Sequence, residues 1–364
     1  MKKQRILIAS VLCVAALLVV GGVALRHASP QPQSLTVGAM LPVTGWSAEF
    51  GQHEWHALKA AAEWTQQKHP GVNIELVLKD TQSDTKNAVA AFQSLQRPPE
   101  LLLVESSSAS FAIAPLLQPK KTIMLSVSTN PEVTRQSDYI FRCLPTANEE
   151  ARVVLPYAIE QLKVKRLSLL YINNDYGTGF LQAFENYLGN RNAKLNFSDS
   201  FASETTDFRS LIEKLKASNA DAVFVVGYGS AMGTLINSLR VQQFSGQILA
   251  CSAVIYDDVL SVAKESARGV IYADIPFEPK STSEEGSFFT KRYSELAGKA
   301  PSPLAAMVYD SVRMTLEALL SQQANPEKAR SRLLEQSSYA GINKTIRIPE
   351  SRDLQFGLVI KRVP

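Results

Sequence analysis

Apolar residues along this chain fall into two kinds of segment, which alternate. Short unbroken apolar runs predict buried strands, and apolar positions repeated every three or four residues predict amphipathic helices. The predicted strands span 35–40, 73–78, 101–104, 123–127, 166–172, 222–226, 247–251, 269–275 and 356–360. The predicted helices span 54–67, 85–95, 110–117, 149–162, 179–188, 208–218, 233–242, 288–296 and 302–320.

Regular alternation of strand and helix is typical of a parallel sheet that is covered by helices on both faces. The alternation breaks near 139–142 and then begins again. We therefore predict an α/β protein of two lobes, each a mostly parallel sheet flanked by helices, with a cleft between them. We assign 34–145 with 275–348 to the N-terminal lobe and 146–274 with 349–364 to the C-terminal lobe. The chain then crosses between the lobes near 142–146, 274–277 and 348–356.

The N-terminal segment predicts export from the cytoplasm. Positive residues lie within the first five positions, an apolar run spans 6–25, and a Pro- and Gln-rich stretch follows. This order is typical of a secretory signal peptide, and the run is also long enough to cross a bilayer. We expect residues 1–33 to be a signal peptide, or a retained anchor in the inner membrane, followed by a linker. Either reading places the rest of the chain in the periplasm or another extracytoplasmic space.

Composition excludes several functional classes. The chain has 364 residues, a formal net charge of +4 and 20% charged residues, and it has no basic stripe with interleaved aromatic residues, so a nucleic-acid partner is not expected. His53 and His56 lie three apart without an evident third ligand, so no metal site is predicted. No nucleophile, zinc or paired-carboxylate signature is present, and neither an enzyme nor a cofactor is expected. Cys143 and Cys251 either pair or remain buried thiols.

The ligand site is expected at the carboxyl ends of the parallel strands, because ligands bind there in open α/β sheets. The turns after the strands are rich in Ser, Thr, Gly and aromatic residues, which suit a small polar ligand with an apolar part. These turns span 41–51, 105–110, 126–131, 173–179 and 227–230.

Several segments of both predicted lobes together carry a family resemblance. They read VGAMLPVTGWSAEFGQHEW, LKDTQSDTKNAVAAFQSL, SVSTNPEVT followed by YIFRCLP, LLYINNDYGTGF, FASETTDFRSLIEKLKASNADAVFVVGYGSAMGTLINSLR and AAMVYDSVRMTLEAL. In order and spacing the chain resembles the periplasmic branched-chain amino acid binding proteins, the type I solute-binding proteins of ABC importers. The resemblance implies the two-lobed type I periplasmic-binding-protein fold, an ABC permease as partner, and capture of a small molecule. A sensor or regulatory protein of the same fold stays the alternative.

The resemblance also implies a set of ligand-binding residues. A hydroxyl after the third strand is expected to bind a ligand carboxylate, and it belongs to Ser107 or its neighbour Ser108. A neutral hydroxyl can donate a hydrogen bond to the carboxylate. Thr129 and the backbone of Val127 and Ser128 are expected to complete that contact.

Aromatic residues are expected to line the rest of the pocket. The resemblance assigns Phe50 to the first lobe, and it assigns Tyr176 and Tyr228 to the second. Rigid aromatic side chains give apolar contact at a low cost in conformational entropy.

The chain departs from the family after strand 247–251. Amino acid binders of the family present an acidic residue there for the ligand ammonium, whereas this chain has Ser252. Asp257 and Asp258 reach the site only if the loop folds back. Because a buried ammonium without a counter-charge costs several kcal/mol, we expect an amide or an amine-free carboxylate to bind better than leucine, isoleucine or valine.

Overall fold

The computed structural model describes residues 33–191, 193–342 and 344–364. Its strands are β1 Ser34–Leu41, β2 Asn73–Asp80, β3 Leu101–Glu105, β4 Ile123–Val127, β5 Ile140–Arg142, β6 Leu167–Ile172, β7 Phe197–Phe201, β8 Ala222–Val226, β9 Gln247–Ala250, β10 Ile271–Asp274, β11 Ser338–Ala340, β12 Thr345–Arg347 and β13 Val359–Arg362. Its helices are α1 Ala48–Lys68, α2 Thr85–Gln93, α3 Ser107–Ile113, α4 Leu117–Lys120, α5 Ala147–Pro156, α6 Asp175–Gly189, α7 Arg209–Ala217, α8 Gly229–Val241, α9 Asp257–Ala263, α10 Glu284–Ala297, α11 Pro303–Ser321 and α12 Pro326–Gln336.

The chain builds two large sheets. The first has the order β2-β1-β3-β4-β5 and is parallel throughout. The second has the order β13-β10-β9-β8-β6-β7 and is parallel except for β13, which pairs antiparallel with β10. Strands β4 and β8 are buried at every residue, as expected for parallel strands covered on both faces. The predicted α/β class with two mostly parallel sheets is confirmed.

The chain returns to the first sheet after visiting the second. Helices α10 and α11 follow β10 in the sequence, yet both pack against α1, which follows the first strand. The chain then goes back to the second sheet as β13. We call the first sheet with its helices the first lobe, and the second sheet with its helices the second lobe. The residue limits assigned to the lobes above stay a prediction.

Some elements differ from the predicted ones. Helix α1 begins six residues earlier than predicted, and Gly51 inside it lies against the preceding turn, where a Cβ would be 2.4 Å from the Pro42 carbonyl oxygen. Strand β7 was not predicted, because this edge strand is only partly buried and has three consecutive polar residues at its centre. Helices α9 and α12 and the hairpin of β11 and β12 were also missed, and β13 begins at Val359 rather than Phe356.

A buried ion pair joins two of the predicted crossings between the lobes. The Arg142 side chain at the end of β5 is fully buried, and its Nε donates to Asp353 Oδ1 at 3.0 Å. The Arg142 guanidinium also donates to the carbonyl oxygens of Asn130 and Pro131. Backbone bonds on either side of Asp353 tie the same two segments together. This junction ties the chain at 352–354 to the end of β5.

Within the described residues, no helix is long and apolar enough to cross a bilayer, and no group of acidic, His or Cys side chains is arranged to hold a metal ion. The predicted signal peptide or membrane tether at 6–25 lies outside the described residues. Cys143 and Cys251 are both free, buried thiols, so the second of the two alternatives left open by the sequence holds.

Candidate ligand-binding cleft

A cavity lies between the two lobes, at the carboxyl ends of their strands. It leaves an open space of ≈ 900 Å³, part of which is its solvent-filled mouth, and this is the usual size of a small-molecule site. The structure brings every predicted site residue to this one cavity: Phe50, Ser107, Ser108, Val127, Ser128, Thr129, Tyr176, Tyr228 and Ser252. Contact of each with a ligand stays a prediction.

The turn after β3 presents one hydroxyl to the cavity and uses another to hold α3. Ser106 has a φ of 81°, a conformation that favours glycine, and its Oγ accepts a hydrogen bond from the Ala109 N–H at 3.1 Å. This cap fixes the first turn of α3. The Ser107 Oγ is buried and has no hydrogen-bond partner. Ser107 therefore has a donor free for a ligand.

The turn after β4 presents a second free hydroxyl. Thr129 Oγ1 is buried without a hydrogen-bond partner, and it does not cap α5, because Thr146 accepts the Glu149 N–H there at 3.0 Å. The Ser128 hydroxyl is already engaged with Ser126 at 2.7 Å. Thr129 thus offers its side chain to the cavity, whereas the Ser128 hydroxyl supports the turn.

Aromatic side chains from both lobes line the cavity. Trp46 stacks on Tyr228 with ring centroids 4.7 Å apart. The ring centroids of Phe50 and Tyr256 are also 4.7 Å apart. The ring centroids of Tyr176 and Tyr228 are 5.7 Å apart. The Tyr228 hydroxyl accepts a hydrogen bond from the Asn174 side chain. The sequence did not single out Trp46 or Tyr256. These aromatic faces can contact an apolar group or a cation.

Four carboxyl side chains also line the cavity, and the sequence analysis missed all of them. Glu54 lies in α1, Glu105 ends β3, Glu150 lies in the first turn of α5 and Asp274 ends β10. Glu54, Glu150 and Asp274 are 0%, 2% and 3% exposed. Both carboxyl oxygens of Glu54 and one each of Glu150 and Asp274 have no hydrogen-bond partner. A buried carboxyl without a partner is costly, so these groups are candidates for contact with a ligand.

The carboxyl groups form one pair in each lobe. Burial raises the pKa of Glu54 well above its usual range, and nearby Glu105 raises it further. Burial raises the pKa of Glu105 to about 8. We call these two residues the first carboxyl pair. The first carboxyl pair therefore lies in the same part of the cavity lining as the turn that carries Ser107.

The second carboxyl pair is Glu150 with Asp274. Burial raises the pKa of Glu150 well above its usual range, Asp274 adds to the rise, and the Ser252 backbone N–H opposes it. Burial raises the pKa of Asp274 to about 7, while Lys361 and the Ile275 N–H favour its charged form. This pair therefore lies next to Ser252, on the side of the cavity where the family places its acidic residue.

The expectation that a ligand ammonium would meet no counter-charge did not include two carboxyl groups that line the same cavity. Position 252 is indeed Ser, but Glu150 reaches the same region from α5, and Asp274 reaches it from β10. Asp257 and Asp258 do not line the cavity. Within the lining, no lysine, arginine or histidine is present. The ionisable groups of the lining are therefore all acidic, and the lining has no positive side chain of its own.

Contacts join the lobes across the mouth of the cavity. Glu49, in the first turn of α1, accepts hydrogen bonds from the backbone N–H groups of Asp257 and Asp258 at 3.1 and 2.8 Å. Lys299 Nζ lies 3.2 Å from Glu49 and 2.7 Å from Asp257. Burial alone would raise the Glu49 pKa, but hydrogen bonds from His53, Asp258 and Lys299 hold it at about 2. A charged Glu49 therefore stabilises the closed arrangement of the lobes.

Glu49→Ala is expected to loosen this closed arrangement. The variant removes the acceptor of two inter-lobe hydrogen bonds, so the ligand-free protein should have a larger radius of gyration by small-angle X-ray scattering. Ligand affinity should fall about tenfold, a usual size of conformational coupling. Glu63→Ala is the matched control, because Glu63 lies on the same helix and pairs with Arg292 within the first lobe. An unchanged radius and affinity would show that Glu49 does not hold the cleft closed.

The fold and the cleft define a two-lobed solute-binding protein. Residues 34–354 match the family of periplasmic binding proteins, and the chain belongs to this family. Among curated proteins it is similar to an amino acid binding protein of Pseudomonas aeruginosa, with 26% identity over 247 residues, 65% of this chain and 66% of that one. It is also similar to the Leu/Ile/Val-binding protein of Escherichia coli, with 25% identity over 241 residues, 65% of each chain. The chain thus spans just under two thirds of the length of these relatives.

Solved structures share the fold. A leucine-binding protein of Thermotoga maritima has a TM-score of 0.81 and 24% identity, covering 90% of this chain and 95% of that one. A solute-binding protein of an ABC transporter from Rhodopseudomonas palustris, in complex with 4-hydroxybenzoate, has a TM-score of 0.80 and 19% identity, covering 91% and 93%. These relatives and neighbours are binding proteins rather than enzymes, in agreement with the prediction, and the type I fold is confirmed.

Proposed function

We propose that this protein captures an amino-acid-like solute, with one carboxylate and at least one ammonium group, for an ABC importer. The observation that carries the proposal is the combination of free neutral hydroxyls and free buried carboxyls in one inter-lobe cavity. Ser107 and Thr129 supply donors for the ligand carboxylate, and Glu150 with Asp274 receives its α-ammonium. Aromatic rings enclose the apolar part.

Charge balance favours a zwitterion over a simple acid. An anion such as a benzoate, the ligand of one structural neighbour, would enter a cavity that has four carboxyls and no basic side chain in its lining. Closing the lobes would remove water from an anion beside those groups, which is costly. An amine-free carboxylate, which the sequence favoured, is therefore not the ligand we propose.

An import role rests on the family and on the predicted export signal. The partner would be an ABC permease of the inner membrane, and the protein would act in the periplasm, whether free or tethered through 6–25. The alternative is a sensor or regulatory protein that uses the same cleft. The cleft geometry fits both roles, since each requires capture of a small molecule.

Two experiments test this proposal in sequence. A thermal-shift screen of the purified protein should find stabilisation by amino acids and little by their deaminated acids, because a ligand that binds only the folded state raises the midpoint. Uptake of the labelled hit should then fall in cells that lack the gene. Stabilisation by simple acids alone would refute the ligand class, and unchanged uptake with an altered cellular response would favour the sensor.

Affinity for the amine should rise with pH. Asp274, with a pKa of about 7, and Glu105, with a pKa of about 8, hold protons in the free protein at pH 6. A ligand ammonium bound at Glu150 and Asp274 stabilises the charged form of Asp274, so binding releases a proton. The affinity should increase between pH 6 and 8.5, by at most about tenfold per pH unit for each proton released. Calorimetry in two buffers of different ionisation enthalpy measures the release, and a pH-independent affinity would contradict it.

The same groups should make the ligand-free protein less stable as pH rises. Their pKa values are higher in the folded protein than their usual values near 4, so the folded state keeps these protons longer than the unfolded state does. The stability from these two groups is therefore complete below about pH 4 and is lost as pH rises through 7 to 8. Saturating ligand should reduce this loss.

A further inference from the structure

The first carboxyl pair is not explained by a single ligand ammonium. Glu54 is fully buried and neither of its carboxyl oxygens has a hydrogen-bond partner. Glu105 lines the same cavity at the end of β3. The second pair, in contrast, is already partly compensated by the Ser252 backbone N–H and by Lys361. The first pair has no such neighbour among the described lining residues.

We propose that the ligand carries a second positive charge, on its side chain, and that this charge binds at Glu54 and Glu105. The substrate class is then an amino acid with an amine on its side chain. The inference rests on the proposed function, in which the ligand carboxylate lies at Ser107 and Thr129 and its α-ammonium at the second pair. Glu54 and Glu105 become the residues that determine specificity.

The charges of such a ligand match those of the cavity. Burial raises the pKa of Glu54 well above its usual range and that of Glu105 to about 8, so the first pair is mostly protonated in the free protein near neutral pH. A bound ammonium favours loss of one of these protons, and the pair then shares the other and carries one negative charge. A diamino acid brings two positive groups for the two pairs, and its carboxylate lies against neutral donors. A ligand with one ammonium would leave the charge of the first pair without a partner, or would require that pair to stay fully protonated.

The surroundings of the first pair fit an ammonium group. Phe50 lies one turn before Glu54 on α1 and also lines the cavity, and its ring centroid is 4.7 Å from that of Tyr256. Tyr228 lies close enough to Glu105 for the carboxyl charge to raise the Tyr228 pKa. Aromatic faces beside carboxylates are favourable surroundings for a cation. Leu304 and Met307, from a helix of the same lobe, add apolar side chains to the lining.

Calorimetry on the purified full chain tests the proposal with matched ligands that differ only in the side-chain amine. The diamino acids are 2,3-diaminopropionate, 2,4-diaminobutyrate, ornithine and lysine. Their counterparts are alanine, 2-aminobutyrate, norvaline and norleucine. These keep the α-amino group and are amine-free in the side chain only. We expect at least one diamino acid to bind on the order of tenfold or more tighter than its counterpart, as a charge-assisted contact in a buried site suggests. Comparison of the four pairs shows which side-chain length allows the amine to reach Glu54.

Substitutions in the first carboxyl pair then test whether the side-chain amine binds there. Glu54→Gln and Glu105→Gln should each reduce the preference for the diamino acid, and the double variant should remove it while binding of the amine-free counterpart is kept. Glu278→Gln is the control, because Glu278 is exposed and outside the cavity. Thermal unfolding confirms that each variant folds, since the glutamine retains the size of the glutamate.

The outcomes separate the two proposals. If both series bind equally well, or the amine-free members bind tighter, the second charge is refuted and the amino acid function stands. If no member of either series binds, the proposed ligand class itself is refuted. A preference that survives the double variant would place the side-chain amine elsewhere and overturn the role of Glu54 and Glu105.

Discussion

Glu150→Gln is expected to weaken amino acid binding by about 2–3 kcal/mol, which corresponds to a loss of affinity of tens to hundreds of fold. The Glu150 carboxyl is 2% exposed, and one of its oxygens has no partner within the described residues. In the closed cleft it would face the α-ammonium, where water cannot replace it. Glutamine keeps the shape and removes the charge, so the loss reports the ion pair rather than packing.

The control for this variant is Glu160→Gln, which changes an exposed residue shortly after the same helix. Titration calorimetry measures both variants with the amino acid that stabilises the wild type most. The stability of Glu150→Gln should rise slightly at neutral pH, since a buried carboxyl with a raised pKa is removed. Equal affinities for wild type and Glu150→Gln would exclude Glu150 from the ammonium site.

Arg142→Met is expected to lower the free energy of unfolding by about 3–5 kcal/mol, because it leaves a buried charge and several buried acceptors without their partner. Arg142 is fully buried and donates to Asp353, to Thr134 Oγ1 at 3.2 Å and to two backbone carbonyl oxygens. Methionine fills much of the volume but replaces none of these bonds. Urea denaturation measures the loss.

A double-mutant cycle with Asp353→Ala separates the ion pair from the carbonyl contacts. The double variant should lose less than the sum of the two single variants, because either single variant already breaks the ion pair and the second substitution removes the group left without a partner. Strict additivity, or a loss below about 1 kcal/mol for Arg142→Met, would show that the Arg142–Asp353 pair contributes little.

The repeated strand and helix pattern was enough to predict the architecture. Strands such as β4 and β8 are buried on both faces, so their apolar runs are unbroken and easily recognised. Edge strand β7 and hairpin strand β11 are half solvated and lack that signal. The position of the site followed from the rule that ligands bind at strand ends, and the turn that carries Ser107 obeys it.

The carboxyl groups of the site could not be read from local patterns. Glu54 and Glu150 lie in helices, where an acidic residue usually faces solvent, but here both are buried and line the cavity between the lobes. Glu105 and Asp274 end buried strands, and the rule of strand ends could have drawn attention to them. Sequence alignment with the family led instead to Ser252, because it compares positions along the chain and not the side chains that converge in space.

The central claim is that the cleft captures a molecule through both its carboxylate and its ammonium group. Titration calorimetry tests it most directly, with the amino acid that gives the largest thermal shift and with the same molecule lacking its α-amino group. We predict micromolar or tighter binding of the amino acid and binding of the deaminated acid that is on the order of 100-fold weaker. Equal or tighter binding of the deaminated acid would contradict the account.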